Sequence, residues 1–163
     1  MHIVHSEASC GWGGQELRIL SESQGMIARG HRITLVCPRE ARIHDEARAS
    51  GITVHALPIG RKKFTGVFAM RHWLTENPCD VINTHSSTDS WLAALACATL
   101  PGAPPIVRTR HISAATPRNA ATRWLYTRAT QHIVTTGETL RRTLIADNGY
   151  PAENITSIPT GID

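Results

Sequence analysis

Short runs of β-branched and aliphatic residues alternate with longer stretches of helical periodicity along almost the whole chain. That alternation predicts βαβ units on a parallel sheet. The strand candidates are Ile3–His5, Ile33–Cys37, Thr53–Leu57, Asp80–Thr84, Ile106–Thr109, His132–Thr135 and Ile155–Ile158. A first helix is expected from Gly14 to Arg29, with Leu17, Leu20 and Ile27 on one inward stripe and Gly30 at its stop. Another opens near Ser87 and turns Trp91, Leu92, Leu95 and Ala96 inward, and a third sets Ala121, Trp124 and Leu125 at i, i+3 and i+4. The last opens on Thr135-x-x-Glu138, the spacing of a capping box, and closes at Asn148-Gly149 ahead of Pro151. The fold class is therefore α/β: a Rossmann-like, three-layer α/β/α domain on a mainly parallel sheet of about six or seven strands.

No repeat recurs at a solenoid period, and the Pro/Gly-rich stretches Pro58–Gly66 and Pro101–Pro105 are only loop-sized. One domain, 1–163, is expected. Its end, Pro159-Thr160-Gly161-Ile162-Asp163, follows directly on a strand and a turn, which suggests a cut at a linker and a further domain beyond it.

Composition narrows the class. Seventeen Lys+Arg against 13 Asp+Glu leave a formal +4, and 41% of residues are hydrophobic, the balance of a soluble globular domain. The surplus is too small and too scattered to predict nucleic-acid binding. The longest nearly apolar run, Trp91–Leu100, is far short of the about 20 residues a membrane span needs. The start, Met1-His2-Ile3-Val4-His5, lacks the basic region of a signal peptide. A cytoplasmic location is expected, with reduced thiols at Cys10, Cys37, Cys79 and Cys97, which show no C-x-x-C spacing. All basic residues but Lys62 and Lys63 are Arg, whose planar fork suits phosphate and carboxylate.

Three segments can carry chemistry. Gly11-Trp12-Gly13-Gly14-Gln15-Glu16 lies between the first strand and the first helix. Glycines there let backbone N–H groups approach an anion, and the helix start adds about half a positive charge. A dinucleotide fingerprint would need Gly or Ala where Glu16 stands and an acid where Cys37-Pro38-Arg39 ends the second strand. The competing reading is a tight turn without a ligand. In Asp80-Val81-Ile82-Asn83-Thr84-His85-Ser86-Ser87, His85 stands at a strand's carboxyl end, where ligands of open parallel sheets bind, although His85 or Ser87 could instead only cap the next helix. In Arg108-Thr109-Arg110-His111, alternation sends both arginines to one side, and their crowding with His111 suggests an anionic ligand; the competing reading is a surface pairing with Asp89 or Glu138.

Arg61-Lys62-Lys63-Phe64 reads as a solvated loop or as a contact for an anionic membrane surface or acceptor. His2, His5, His31, His44, His55, His72 and His132 show no metal-ligand spacing with one another, and no G-x-S-x-G elbow is present.

Taken in order, Gly13-Gly14-Gln15-Glu16, Ala28-Arg29-Gly30-His31-Arg32-Ile33-Thr34-Leu35-Val36, Asp80 to Ser86, Ile133-Val134-Thr135-Thr136-Gly137-Glu138 and Ile158-Pro159-Thr160-Gly161-Ile162-Asp163 resemble the N-terminal half of a family 4 glycosyltransferase of the GT-B fold. Arg108-Thr109-Arg110-His111 resembles the branch acting on bacterial lipopolysaccharide or surface polysaccharide. The resemblance implies two Rossmann-like domains facing a cleft, the acceptor on this one and the nucleotide-sugar on a C-terminal one. It implies retention of anomeric configuration without metal or other cofactor, and a glycan or lipid-linked acceptor met at the inner face of the membrane. It further implies His85 beside the transferred sugar as the catalytic residue. Gly13, Gly14, Gln15, Glu16, Ser86, Arg108, Arg110, His111, Thr160 and Gly161 would be the substrate-binding set. Thr160 stands where many relatives carry Asn, and Gln15 where a small residue is commoner. A flavodoxin-like or dinucleotide-binding module is the rival reading, and a binding-only domain a third.

Overall fold

Seven parallel strands form one sheet in the order β3-β2-β1-β4-β5-β6-β7, in a computed structural model that describes residues 1–161. Ile162 and Asp163, the end of the last motif, lie outside the described residues. The chain runs β1 (His2–Ser6), α1 (Gly14–Ala28), β2 (Arg32–Cys37), α2 (Arg42–Ala49), β3 (Thr53–Ala56), α3 (Phe64–Glu76), β4 (Val81–Thr84) and α4 (Ser87–Ala98). It continues through β5 (Ile106–Arg110), α5 (Ala120–Trp124), a π-helical turn (Leu125–Ala129), β6 (His132–Thr135), α6 (Glu138–Asn148), a 3-10 turn (Ala152–Asn154) and β7 (Ile155–Ser157). Every expected strand is present, each within a residue or two of its expected ends.

The strand order reverses at β1, which pairs with β2 on one side and β4 on the other. Right-handed crossovers leaving β1 in opposite directions put their helices on opposite faces. Beneath α1 and α2, Ile3, Ile19, Ile33, Leu35 and Ile43 form one core. Beneath α3, α4 and the π-helical turn, Val4, Met70, Ile82, Leu92, Ile106 and Leu125 form the other, which Leu144 of α6 also joins. Two helices cannot cover seven strands. Beside α1, Val81, Val107 and Val134 therefore floor an apolar trough of about 740 Å³.

That imbalance explains where the expectation for α1 fails. α1 buries Glu16, Arg18, Ile19 and Ser23, while Leu17 and Ile27 are exposed, because the helix lies at the trough's margin and its first turns face the strand ends. Leu95 of α4 and Ala121 of α5 also lie exposed, although Leu92, Ala96 and Leu125 are inward as expected. Thr135 is no cap: it ends β6, and Gly137 is the N-cap of α6. Gly149 does close α6, in the left-handed conformation at φ 67°. The stretch expected to be loop up to Gly66 already enters α3 at Phe64.

Candidate functional site

Parallel strands bring all their carboxyl ends to one rim, and a ligand crevice forms where the strand order reverses. Here that rim carries the ends of β1, β4 and β5, which are neighbours in the sheet. Past β1, the Ser9 N–H donates to Glu7 Oε1 at 2.9 Å, Gln15 Nε2 donates to Glu7 Oε2, and the Gly11 N–H donates to Ser9 Oγ at 3.0 Å. These bonds fold the glycine loop against the strand end.

α1 then starts at Gly14, with Gly13 as an N-cap that offers no side-chain acceptor, so its first N–H groups are not capped by that residue. A Cβ at Gly13 would meet only Glu16 Oε2, at 3.9 Å, and one at Gly14 nothing within 4 Å. The protein itself does not require glycine for space there; the vacancy faces outward into a cleft of about 510 Å³. Gly13, Gly14, Gln15, Glu16, His111 and Thr160 line that cleft together with Ser9, Trp12 and Thr136.

Two carboxyl groups stand near this anion-friendly helix start. Glu16 lines the cleft. Glu7 sits behind it with its carboxyl pushed up to about 7, first by burial and then by the negative charge of Asp89. Proton uptake at Glu7 thus limits negative charge beneath the loop. Behind the cleft lining Arg18, buried in α1, donates to the Ile158 carbonyl and to Thr160 Oγ1, both at 3.0 Å, and to Glu22 at 2.6 Å. Arg18 thereby fixes Thr160 at the cleft. Gly161 lies apart, in a smaller recess with Arg18 and Ser21.

The remaining sequence candidates divide by strand parity. Arg108 and Arg110 do share a side, as alternation requires, but it is the helix-covered side. Arg108 donates to the Ser86 carbonyl and to Ser90 Oγ; Arg110 donates to Tyr126 Oη at 2.8 Å and to the Ala114 carbonyl. Both are buried and neither lines the cleft, which corrects the expectation of an anion above the strand end and that of a surface ion pair alike. Ser86 is likewise absorbed: with Asp89 it forms the capping box of α4. Asp89 also accepts from Ser6 Oγ at 2.6 Å and from the His85 N–H at 3.0 Å. Sequence reasoning missed this hub, although Ser86-x-x-Asp89 has the spacing of a cap.

His85 is not at the mouth of the cleft. Its ring is buried, and His111 stands between it and the opening: His85 Nδ1 lies 2.9 Å from His111 Nε2, and His85 Nε2 lies 2.8 Å from His5 Nδ1. Three imidazoles thus run from the core to the cleft. Burial lowers His5 to about 4 and His85 well below its ordinary value, with the charges of His5, His111, Arg108 and Arg18 adding to the effect on His85. Burial, then Arg18 and Arg108, lower His111 to about 4. Metal-ligand spacing along the chain does not reveal His5; the sequence signal for the row is that all three histidines end or follow predicted strands. Among the described residues, no group of three or more His, Cys, Asp or Glu is placed to hold a metal ion.

Residues 12–163 match the family model for Glycosyltransferase Family 4, and the chain belongs to that family. No curated protein matches the chain. Anabaena HepE, solved in complex with UDP-glucose, superposes with a TM-score of 0.80 at 18% identity, over 100% of this chain and 44% of that one. A glycosyltransferase from Rickettsia africae gives 0.79 at 14% identity, over 99% and 43%. The lipopolysaccharide outer core galactosyltransferase WaaB, in its apo form, gives 0.73 at 16% identity, over 96% and 44%. The fold is that of the N-terminal domains of GT-B glycosyltransferases, and the chain spans less than half the length of these structures.

Proposed function

We propose that this family 4 chain is the acceptor-side half of a retaining glycosyltransferase that moves a sugar from a nucleotide-sugar to a glycan or lipid-linked acceptor in envelope polysaccharide synthesis. The observation that carries this reading is the cleft itself, in which the uncapped, glycine-flanked start of α1 faces His111 and Thr160 across about 510 Å³. Backbone N–H groups at a helix start suit a diphosphate, while a neutral imidazole and a hydroxyl suit sugar hydroxyls.

Within that reading His111, rather than His85, touches the sugar, and Gly13 and Gly14 lie against the diphosphate. Gln15 and Glu16 border the acceptor. Departure of the nucleoside diphosphate is assisted by fixed N–H dipoles and by cations of a second, C-terminal domain, with no metal ion or other cofactor taking part. UDP-glucose in HepE and the galactosyl transfer named for WaaB favour a hexose donor of the UDP class.

A membrane-borne acceptor is favoured by the same rim. Arg61, Lys62 and Lys63 precede α3, whose Phe64 and Phe68 are 79% and 67% exposed, and Lys62 Nζ reaches Ser87 Oγ at the start of α4 at 3.1 Å. Basic residues beside exposed aromatic rings suit an anionic lipid surface. Among the described residues no helix is long and apolar enough to cross a membrane; the contact proposed for these residues is a peripheral one.

The test follows sugar transfer from a panel of nucleotide-sugars into membrane extracts, with the 163-residue chain and with a protein carrying both halves. Transfer by the two-domain protein, lost on His111→Ala, is expected, with only weak UDP-sugar binding by this chain alone. Equal turnover by the short chain, or a Kd below about 1 μM for it, would refute the division of labour.

A further inference from the structure

Each gap in the row of imidazoles, 2.8 Å from His5 Nδ1 to His85 Nε2 and 2.9 Å from His85 Nδ1 to His111 Nε2, has room for one proton. Two lone pairs would repel across it and two N–H groups would collide. The neutral row therefore has only two concerted arrangements, with the protons all directed outward or all directed inward.

The inner end decides between them. His5 Nε2 is buried without a hydrogen-bond partner. Inward polarity would strand an N–H there, with no acceptor. Outward polarity leaves only a lone pair at that atom and delivers the last N–H to His111 Nδ1, for which no protein partner is present among the described residues and whose ring lines the cleft. A donor in the cleft can be met by water or substrate; a donor in the core cannot.

We propose that His5 and His85 are positioning residues that hold His111 as a neutral imidazole protonated on Nδ1, so that the cleft meets a fixed hydrogen-bond donor instead of a base or a cation. The burial of His5 and His85, the depressed titration of all three rings and the nearby positive charges of Arg18 and Arg108 agree with a row that stays neutral. The donor suits a hydroxyl or ring oxygen of a sugar. This deepens the sugar-transfer reading and rests on it for the identity of the ligand, although the arrangement of protons is a property of the ligand-free chain.

The test is long-range ¹H–¹⁵N correlation of the imidazole rings in the ¹⁵N-labelled 163-residue chain, assigned with single-histidine variants. Neutral Nδ1–H forms of His5, His85 and His111 are expected from pH 8 down to pH 5. Replacing the bridge by His85→Phe should return His111 to a mixture of its two neutral tautomers, since burial, Arg18 and Arg108 still disfavour its charged form. A wild-type His111 protonated on Nε2, or one unchanged by His85→Phe, would overturn the proposal. Where the variant fails to fold, the wild-type spectrum decides alone. Since no substrate is present, a negative result leaves the proposed reaction standing, and a failed transfer assay leaves the tautomers measurable.

Discussion

The same strand ends present two unlike surfaces. On the side of α4 and the π-helical turn, buried Ser6, Asp89, Arg108 and Arg110 and half-buried Ser86 form a charged assembly bonded to carbonyls, hydroxyls and N–H groups of its own elements. On the α1 side, His5, His85 and His111 carry no charge near neutrality and lead outward to the cleft. On one side formal charge is folded into the scaffold; on the other an uncharged row leads to the candidate cleft. The physical reason is burial: the guanidiniums beneath helices turn their terminal N–H groups to the fold, although each Nε–H is left without a partner, whereas the His111 ring borders the cleft.

Acid should separate the two sides most strongly. Depressed histidine titration means the unfolded chain binds more protons than the folded one once the pH falls below about 6.5, so stability is lost from there towards pH 4. Each ring contributes up to about 1.4 kcal/mol per pH unit, and urea unfolding across that range measures the slope. A flat profile would mean that the row is already charged in the folded state, and the contrast would collapse.

Arg108→Ala comes next. It opens a cavity and leaves the Ser86 carbonyl and the Ser90 hydroxyl without that partner, a loss on the order of 3 kcal/mol in urea unfolding. Unchanged stability together with weaker nucleotide-sugar binding would instead return Arg108 to the site.

Glu7 opposes the histidines. Its raised value means that the folded chain binds more protons than the unfolded one between about 4.5 and 7, so its contribution to stability falls as the pH rises through that window. Glu7→Gln should therefore gain on the order of 2 kcal/mol at pH 8 and nothing at pH 4. An equal effect at both pH values would remove the buried proton from the account.

The smallest stability change is expected at the cleft. Gly13→Ala should alter unfolding by less than about 0.5 kcal/mol, because its Cβ would meet no backbone, yet weaken UDP-sugar binding by the two-domain protein in titration calorimetry. Unchanged binding would show that the loop has no ligand to accommodate.

Much of the fold was legible because hydrophobic runs and turn residues act locally: Gly149 ends α6, and each strand begins near its first β-branched residue. Less of the site was. Strand parity put Arg108 and Arg110 on one side, but which side lay under helices depends on the order β1-β4-β5, which no local signal states. That same order brings His5 beside His85, eighty positions away in the chain. α1 misled for a related reason. Its exposed Leu17 and Ile27 follow a helical stripe, but the sheet beneath is only half covered, and the helix spends its inward positions on Glu16, Arg18 and Ser23.

The central place of β1 also bears on how the chain is made. Its register with β2, His2 against Arg32, can form early, while its other edge waits for Val81. At about 5–20 residues per second of synthesis, the stretch between Cys37 and Val81 takes seconds to appear. For that interval an apolar strand edge carrying Ile3 and Val4 stands open to mispairing. The nascent chain is therefore most in need of a chaperone between completion of β3 and arrival of β4, and a ribosome stalled in that interval should present the species most prone to aggregation.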